Sequence, residues 1–242
     1  IMSQLRLLMD GVLDFLYPRI DCVCCGKRLE KRAIHGICTH CHDNMPFIHE
    51  PKCTVCSRPV NDETKICLEC KYHSHRYDQA LAVFEYSVVI KEMIHRYKYG
   101  GEYSLSRTFG FFLSEQLQES GWMVDLMIPV PLHINRQKSR GFNQSALLCD
   151  YLSHRNRIPC RDDVLIRSID TQSQTSFNRD KRAENLKDAF TVVDPQAVKD
   201  KNILIIDDVH TTGATVDGCS RMLRRAGAGK IYVLTVATVV LD

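Results

Sequence analysis

The stretch Ile203-Leu-Ile-Ile-Asp207-Asp208-Val-His-Thr-Thr-Gly-Ala-Thr215 decides the fold. Four apolar residues run into two acids, which predicts a buried parallel strand that opens onto a loop and then a helix. A helix N-terminus at that place presents free N–H groups to an anion. Gly213 allows a phosphate to approach the backbone, and Thr211, Thr212 and Thr215 add hydroxyl donors. Carboxylates beside such a loop suit ribose hydroxyls and a divalent metal, so the segment predicts a sugar-phosphate site.

Two other interpretations of this segment are weaker. An ordinary strand–turn–helix with Asp and Thr as caps requires the acid pair and the glycine turn to coincide by accident. A nucleotide-binding P-loop requires the pattern G-x-x-x-x-G-K-[ST], which the chain does not contain.

The segment resembles the phosphoribosyl pyrophosphate (PRPP) loop of type I phosphoribosyltransferases. The resemblance implies that Asp207 and Asp208 hold the ribose hydroxyls at the reacting centre. It also implies that the 5′-phosphate lies against Thr211, Thr212, Gly213, Ala214 and Thr215.

Length and composition are those of an ordinary globular protein. The chain has 242 residues, 44% apolar and 25% charged, with a net charge of +3. Between Pro131 and Arg182, ten Lys or Arg face five Asp, which suits pyrophosphate or a nucleic-acid backbone as well as a solvated loop. No apolar run is long enough to cross a membrane, and residues 3–17 predict a packing or docking helix, with membrane-surface attachment as the alternative. We therefore expect a cytoplasmic protein with reduced thiols.

Nine of the twelve cysteines lie in the first 70 residues, and eight of these form four C-x-x-C pairs. This spacing predicts two tetrahedral zinc sites of structural or partner-binding role, and disulfides are the weaker alternative. Sequential pairing of the motifs and an interleaved arrangement both remain open, and Cys24 is the odd member. The eight predicted ligands are Cys22, Cys25, Cys38, Cys41, Cys53, Cys56, Cys67 and Cys70.

From Tyr77 onward, strands and helices alternate, which favours a parallel α/β sheet with flanking helices. We place the domain boundary near Arg76, which gives residues 1–76 as an N-terminal helix plus double zinc ribbon and residues 77–242 as the α/β domain. Predicted strands cover residues 80–86, 126–130, 164–167, 203–206 and 231–240, and predicted helices cover 90–97, 142–152 and 216–226. We expect Phe109, Phe111 and Phe112, and Cys149, Cys160 and Cys219, to be buried apolar residues.

A second informative segment runs from Pro129 to Gln144. A strand ends at its prolines, a basic loop follows, and Asn143 can cap the next helix. Arg136 and Arg140 offer forked donors that suit pyrophosphate oxygens, whereas a solvated loop is the plainer interpretation.

The whole chain is similar to the ComF family of competence-associated proteins, in which a zinc ribbon precedes a phosphoribosyltransferase domain. The matching motifs are the C-x-x-C pairs, Lys98-Tyr-Gly-Gly101, Pro129-Val-Pro131, Arg140-Gly-Phe-Asn-Gln144 and the PRPP loop. The resemblance implies that residues 131–140 form the pyrophosphate loop and that Mg²⁺ accompanies PRPP. It also implies that a further set of residues faces the site or the part of the fold that covers it, the hood: Lys98, Arg140, Asn143, Gln144, Gln174, Arg182 and Asn185.

Two functional hypotheses follow from these features. In the first, the protein is a transferase that moves ribose 5-phosphate from Mg²⁺-PRPP to an unknown acceptor. In the second, it is a non-catalytic competence factor that senses PRPP and binds single-stranded DNA. The resemblance implies a place in DNA uptake during natural transformation, beside a helicase or recombination protein.

Overall fold

The computed structural model describes residues 20–30, 33–61, 64–169 and 189–240. The predicted N-terminal helix lies outside these residues. Residues up to Met45 form one compact unit, and residues from Pro46 onward form a second. The second C-x-x-C ribbon belongs to this larger unit, so compactness divides the chain earlier than the boundary predicted near Arg76, which stays a prediction.

The larger unit is built on a four-stranded sheet in which every pairing is parallel. Its order is β1 (Gln79–Glu85), β6 (Ile231–Thr238), β5 (Ile203–His210) and β2 (Leu126–Pro129). The parallel α/β sheet predicted from the alternating pattern is confirmed. A separate antiparallel pair joins β3 (Leu165–Arg167) to β4 (Phe190–Val192), so the strand predicted at 164–167 does not enter the parallel sheet.

Helices cover both faces of this sheet. The chain forms α1 (Thr39–Asp43), α2 (Leu68–Tyr72), α3 (Val88–Tyr99), α4 (Leu105–Glu119), α5 (Ile134–Arg140), α6 (Gln144–Asn156) and α7 (Ala214–Arg225), and one 3₁₀ turn at Pro195–Ala197. Helix α4 packs on β1 and β6, and α6 packs on β2 and β5. The face with Ile203, Ile205 and Val233 clusters instead with Val216 and Leu223 of α7. Because side chains alternate along a strand, the two faces need different helices.

Both edges of the parallel sheet are covered by backbone from elsewhere in the larger unit. Along β1, Ile48 N–H donates to the carbonyl of Val83 (3.0 Å), and Ala80 N–H donates to the carbonyl of Val55 (2.7 Å). Along β2, Met127 N–H donates to the carbonyl of Pro159 (2.8 Å). These contacts satisfy edge groups that otherwise invite pairing with another chain.

Two predictions about buried residues are corrected in part. Phe109 and Phe112 are buried on α4, a helix that was not predicted, whereas Phe111 is half-buried. Cys219 is fully buried, as expected. Cys149 is also buried, as expected, whereas Cys160 is only half-buried, and the two cysteines form a disulfide between α6 and the segment that covers β2.

Candidate functional site

The acid pair lies in the last half of β5, within the strand rather than after it. Strand pairing to β6 continues from Asp207 to His210, which carries both acids toward the carboxyl edge of the sheet. Asp207 Oδ1 accepts hydrogen bonds from the Ser145 hydroxyl (3.0 Å) and from the backbone N–H of Asp208 (2.9 Å). Asp208 is 4% exposed, and its Oδ2 atom lies 2.7 Å from Nζ of Lys98. The two carboxylates are therefore held by different partners.

Burial governs the charges of this cluster. Burial and the neighbouring Asp208 carboxylate raise the pKa of Asp207 to about 7, although Lys98 opposes the shift. Burial alone would lower the pKa of Lys98, but the Asp208 carboxylate outweighs it and the net shift is upward. A cation and an anion thus face each other at the place where a ribose is expected to bind.

The loop after β5 has the backbone of an anion site. Gly213 adopts a left-handed conformation (φ 79°) and is the N-cap of α7, a position where a side chain is strained. The hydroxyl of Thr212 lies 3.5 Å from the N–H of Ala214, from which it accepts a hydrogen bond. The first N–H groups of α7 therefore lie beside the acid pair, together with the hydroxyls of the half-buried Thr211 and Thr215.

The segment predicted as a basic loop is instead mostly the short helix α5. Arg140 is its last residue, and Arg136 lies one turn earlier. The guanidinium of Arg140 donates to the side-chain oxygen of Gln144 and to the hydroxyl of Tyr99 (3.2 Å), and it lies 4.9 Å from the centre of the Tyr99 ring. The arginine is thereby held beside α3, the helix that carries Lys98.

Asn143 caps α6, as predicted. Its Oδ1 atom accepts from the N–H of Ser145 (3.0 Å), and its Nδ2 atom donates to the carbonyl of Val130 (3.0 Å). The hydroxyl of the buried Tyr97 donates to the backbone carbonyl of Gln144 (2.7 Å). These bonds join the end of β2 and α3 to the first turn of α6, the same turn that supplies Ser145 to Asp207.

The structure thus brings Lys98, Arg140, Asn143, Gln144 and the acid pair into one connected network. Three further residues that the resemblance assigned to the site lie outside the described residues: Gln174, Arg182 and Asn185. Beside the network, a groove of about 500 Å³ is lined by Tyr86, His95, Lys98 and Tyr99 among others. Its aromatic and charged lining suits a polar, planar ligand.

The eight predicted cysteine ligands form two clusters, and the sequential arrangement is the one found. Within each cluster the sulfur atoms lie within 4.8 Å of one another. Tetrahedral zinc with sulfur at about 2.3 Å requires sulfur–sulfur distances of roughly 3.8 Å. The Cys25–Cys38 distance of 3.8 Å and the Cys56–Cys67 distance of 3.6 Å fit that geometry. Both clusters are Cys₄ zinc-binding sites, and Cys24 belongs to neither.

The two ribbons repeat one local design. The N–H of Cys22 donates to the carbonyl of Lys27, and the N–H of Cys53 donates to the carbonyl of Arg58, each at 2.7 Å. The third cysteine of each ribbon is the N-cap of a five-residue helix, α1 or α2. Lys27 and Arg58 therefore hold equivalent positions, yet Lys27 is exposed and Arg58 is 3% exposed.

Two residues of this region were missed by the sequence interpretation. Ser145 hydrogen-bonds to Asp207, and its place just after the predicted cap Asn143 was the available signal. Arg58 donates to the backbone carbonyl of Thr211 in the loop after β5. No pattern near Arg58 indicates that contact, since 153 residues separate the two partners.

A family model matches the zinc-ribbon region, and several curated proteins match most of the chain. Residues 12–71 match the family model described as a double zinc ribbon domain. Competence protein F of Haemophilus influenzae is 28% identical over 89% of this chain and 96% of its own length. DNA utilization protein YhgH of Escherichia coli is 28% identical over 83% of this chain and 96% of its own length. Competence protein ComFC of Streptococcus pneumoniae is 28% identical over 83% and 86%.

Solved structures give a more distant likeness. Glutamine PRPP amidotransferase from Bacillus subtilis is 21% identical with a TM-score of 0.38, over 54% of this chain and 25% of that one. Purine phosphoribosyltransferase from Pyrococcus horikoshii is 21% identical with a TM-score of 0.34, over 54% and 70%. Both TM-scores are low, so the assignment of the fold rests on the parallel strand pairing within this chain.

Among the described residues, no helix combines the length and apolarity needed to span a membrane. The cytoplasmic location stays a prediction. Three findings agree with one another: the parallel α/β sheet, the two Cys₄ clusters and the similarity to proteins that match most of the chain. The chain is similar along most of its length to Competence protein F, YhgH and ComFC, and its residues 12–71 match a double zinc ribbon domain.

Proposed function

We propose that this protein binds PRPP with Mg²⁺ at the carboxyl edge of its sheet and acts in the uptake or use of DNA. The observation that carries the binding proposal is the buried acid pair, which is followed directly by a left-handed glycine and the N-terminus of α7. The role in DNA handling is supported by the names of the relatives, which refer to competence and DNA utilization.

In this proposal each part of the site has a separate task. Asp207 and Asp208 accept hydrogen bonds from the ribose hydroxyls, and the Thr211 to Thr215 loop donates N–H and hydroxyl groups to the 5′-phosphate. Arg140 and Arg136 approach the pyrophosphate, with Asn143 and Gln144 fixing that side. The oxygen donors of the acids suit Mg²⁺, which would neutralise pyrophosphate charge when bound.

Lys98 also compensates the charge of the acid pair. Its ammonium group lies on Asp208, where it offsets a negative charge that is removed from water. A ligand that engages Asp208 must therefore move or share this cation. We assign Lys98 to the ligand side of the site, next to the groove that Tyr86, His95 and Tyr99 line.

The binding proposal is tested by calorimetric titration of PRPP with Mg²⁺. We expect the Asp207→Asn/Asp208→Asn variant to bind at least about 30-fold more weakly, because it loses charge-assisted hydrogen bonds to the ligand. The chain offers a matched control in a second consecutive acid pair, Asp162 and Asp163, which is exposed. The control variant Asp162→Asn/Asp163→Asn should bind PRPP like the wild type. Equal binding by both variants would show that the acid pair is not the site.

Two experimental results would distinguish a transferase from a binding protein. Release of pyrophosphate from PRPP in the presence of a nucleobase or nucleoside would identify a transferase. Saturable PRPP binding without pyrophosphate release, together with salt-dependent binding of single-stranded DNA, would identify the non-catalytic competence factor. The names of the relatives favour this second candidate, since none of the three refers to transfer.

The physiological role is tested in a naturally transformable host that lacks its own copy of the gene. The wild-type chain should restore transformation, and the Asp207→Asn/Asp208→Asn variant should not. Restoration by that variant would separate DNA uptake from the acid pair.

A further inference from the structure

The second zinc ribbon contacts the phosphate loop directly. Arg58 follows the first C-x-x-C pair of the second ribbon, Cys53 and Cys56, and its guanidinium donates to the carbonyl of Thr211. Only 3% of Arg58 is exposed, so the charged end of the side chain is taken out of water to make this contact. A buried guanidinium is costly unless it is paired, which makes its placement a specific feature of the fold.

The backbone position of Arg58 is fixed by the zinc knuckle, which is the tight turn of residues 53–58 around the first C-x-x-C pair of the second ribbon. The N–H of Ser57 donates to the carbonyl of Cys53 (2.8 Å), and the N–H of Cys53 donates to the carbonyl of Arg58 (2.7 Å). Ser57 adopts a left-handed backbone (φ 56°), and its hydroxyl accepts from the N–H of Ala82 on β1 (2.8 Å). The knuckle is thereby attached to the sheet that carries the acid pair.

The segment after the second ribbon holds the two ends of the loop. His75 Nδ1 lies 2.8 Å from Oδ2 of Asp217, and the N–H of Arg76 donates to Oδ1 of the same carboxylate (2.8 Å). Asp217 belongs to the first turn of α7, directly after the loop. At the other end, the hydroxyl of Tyr77 lies 3.1 Å from Nε2 of His210.

We propose that the second zinc site is part of the phosphate site, with Arg58 as the positioning residue that holds the Thr211 peptide for a sugar phosphate. This inference rests on the proposed function for the identity of the ligand. It extends that function by coupling metal and ligand: zinc at Cys53, Cys56, Cys67 and Cys70 stabilises the loop, and a phosphate on the loop stabilises the zinc site. Such coupling is reciprocal. The first zinc site belongs to the other compact unit and takes no part.

The repeat of the two ribbons supplies the matched control. Lys27 holds the position in the first knuckle that Arg58 holds in the second, and it is exposed. Both Arg58→Ala and Lys27→Ala keep all eight cysteines, so both proteins should retain two zinc ions. Arg58→Lys keeps the charge without the planar fork.

The primary measurement is hydrogen–deuterium exchange of the full chain without any ligand. In Arg58→Ala, amides from 210 to 217 should exchange at least about fivefold faster, because the loop loses a charge-assisted hydrogen bond. Lys27→Ala should leave them unchanged, and Arg58→Lys should fall between. Added guanidinium ion should restore part of the protection in Arg58→Ala. Equal exchange in the Ala variants with zinc retained overturns the proposal.

The second measurement uses PRPP and a chromogenic zinc chelator. PRPP should slow release of one of the two zinc ions in the wild type, and Arg58→Ala should abolish this effect and weaken PRPP binding roughly tenfold. Unchanged PRPP affinity in Arg58→Ala overturns the proposal. If the wild type binds no PRPP, the proposed function fails, and the exchange comparison alone decides whether the ribbon holds the loop.

Discussion

The Nζ atom of Lys98 lies 2.7 Å from Oδ2 of Asp208, at a place where the side chains are 21% and 6% exposed. This ion pair joins α3 to the end of β5. Because both groups are largely removed from water, each depends on the other for compensation. The pair therefore stabilises the fold as well as being part of the proposed site.

We expect Lys98→Met to destabilise the protein by about 2–4 kcal/mol at pH 8, because Asp208 keeps a buried charge that has lost its partner. Urea unfolding measures the change. Lys98→Met/Asp208→Asn should recover much of the loss, whereas Lys52→Met, at a pair whose Glu50 is 73% exposed, should leave stability nearly unchanged. Strictly additive effects at Lys98 and Asp208 would contradict the coupling.

Asp207→Asn should have an opposite and pH-dependent effect. The pKa of Asp207 is raised to about 7 in the folded protein, so the folded state holds a proton that the unfolded state releases above about pH 4. The contribution of Asp207 to the free energy of unfolding of the wild type therefore decreases as the pH rises from about 4 through 7. We expect the variant to match the wild type near pH 4 and to be more stable by about 1–3 kcal/mol at pH 8.

Thermal or urea unfolding at a series of pH values checks this prediction. Asparagine keeps an oxygen for the Ser145 hydroxyl, so the comparison isolates the charge. A variant that is less stable than the wild type at pH 8 would show that the buried carboxylate is compensated by Lys98. The same variant loses a proposed ribose ligand, so gain of stability and loss of PRPP binding should occur together.

The burial of His210 leads us to expect that the protein loses stability in acid. Burial first, and then the charge of Arg58, lower the pKa of His210 to about 3. The stability that depends on neutral His210 is complete above pH 6.5 and decreases as pH falls toward 3, at up to about 1.4 kcal/mol per pH unit. In His210→Phe this part of the slope should disappear between pH 6 and 4, as urea unfolding would show.

The control for that measurement is His154→Gln, a substitution at a histidine whose side chain is 56% exposed. An unchanged slope in His210→Phe would mean that His210 is already protonated in the folded protein.

Gly110 allows α4 to approach α6. A Cβ atom at this position would lie 2.4 Å from Cδ1 and 3.1 Å from Cβ of Tyr151, too close for a small rotation of the ring to relieve. We expect Gly110→Ala to destabilise the protein by about 1–3 kcal/mol, even though alanine favours a helix by about 1 kcal/mol. Denaturant unfolding of Gly110→Ala, Tyr151→Ala and the double variant should reveal a favourable coupling. Stabilisation by Gly110→Ala alone would contradict the close contact.

The fold was largely predictable where one pattern decides one element. The apolar run from Ile203 to Ile206 predicted a central parallel strand, and the C-x-x-C pairs predicted both metal clusters. Helix α5 was not predicted, because Pro131 and the basic residues after it resemble a loop as much as a short helix. Whether a seven-residue segment is helical depends on its surroundings more than on its own propensity.

The sequence motifs of the candidate site could be predicted, but the contacts between residues far apart in the chain could not. Sequence interpretation placed the acid pair and Asn143 near each other, since strand ends and helix starts meet at one edge of a sheet. The pairing of Arg58 with Thr211 depends on how the ribbon lies on β1, and that is decided by tertiary packing. Equivalent positions in two similar knuckles, Lys27 and Arg58, differ in burial for the same reason.

The strand order has a consequence for synthesis of the chain. The two edge strands, β1 and β2, are made first, and the two central strands, β5 and β6, are made last. Until residues 203–238 leave the ribosome, the two edge strands lack the central strands with which they pair. The Cys₄ clusters, by contrast, are complete once residue 70 has emerged. We therefore expect the metal ribbons to fold before the sheet as the chain is synthesised.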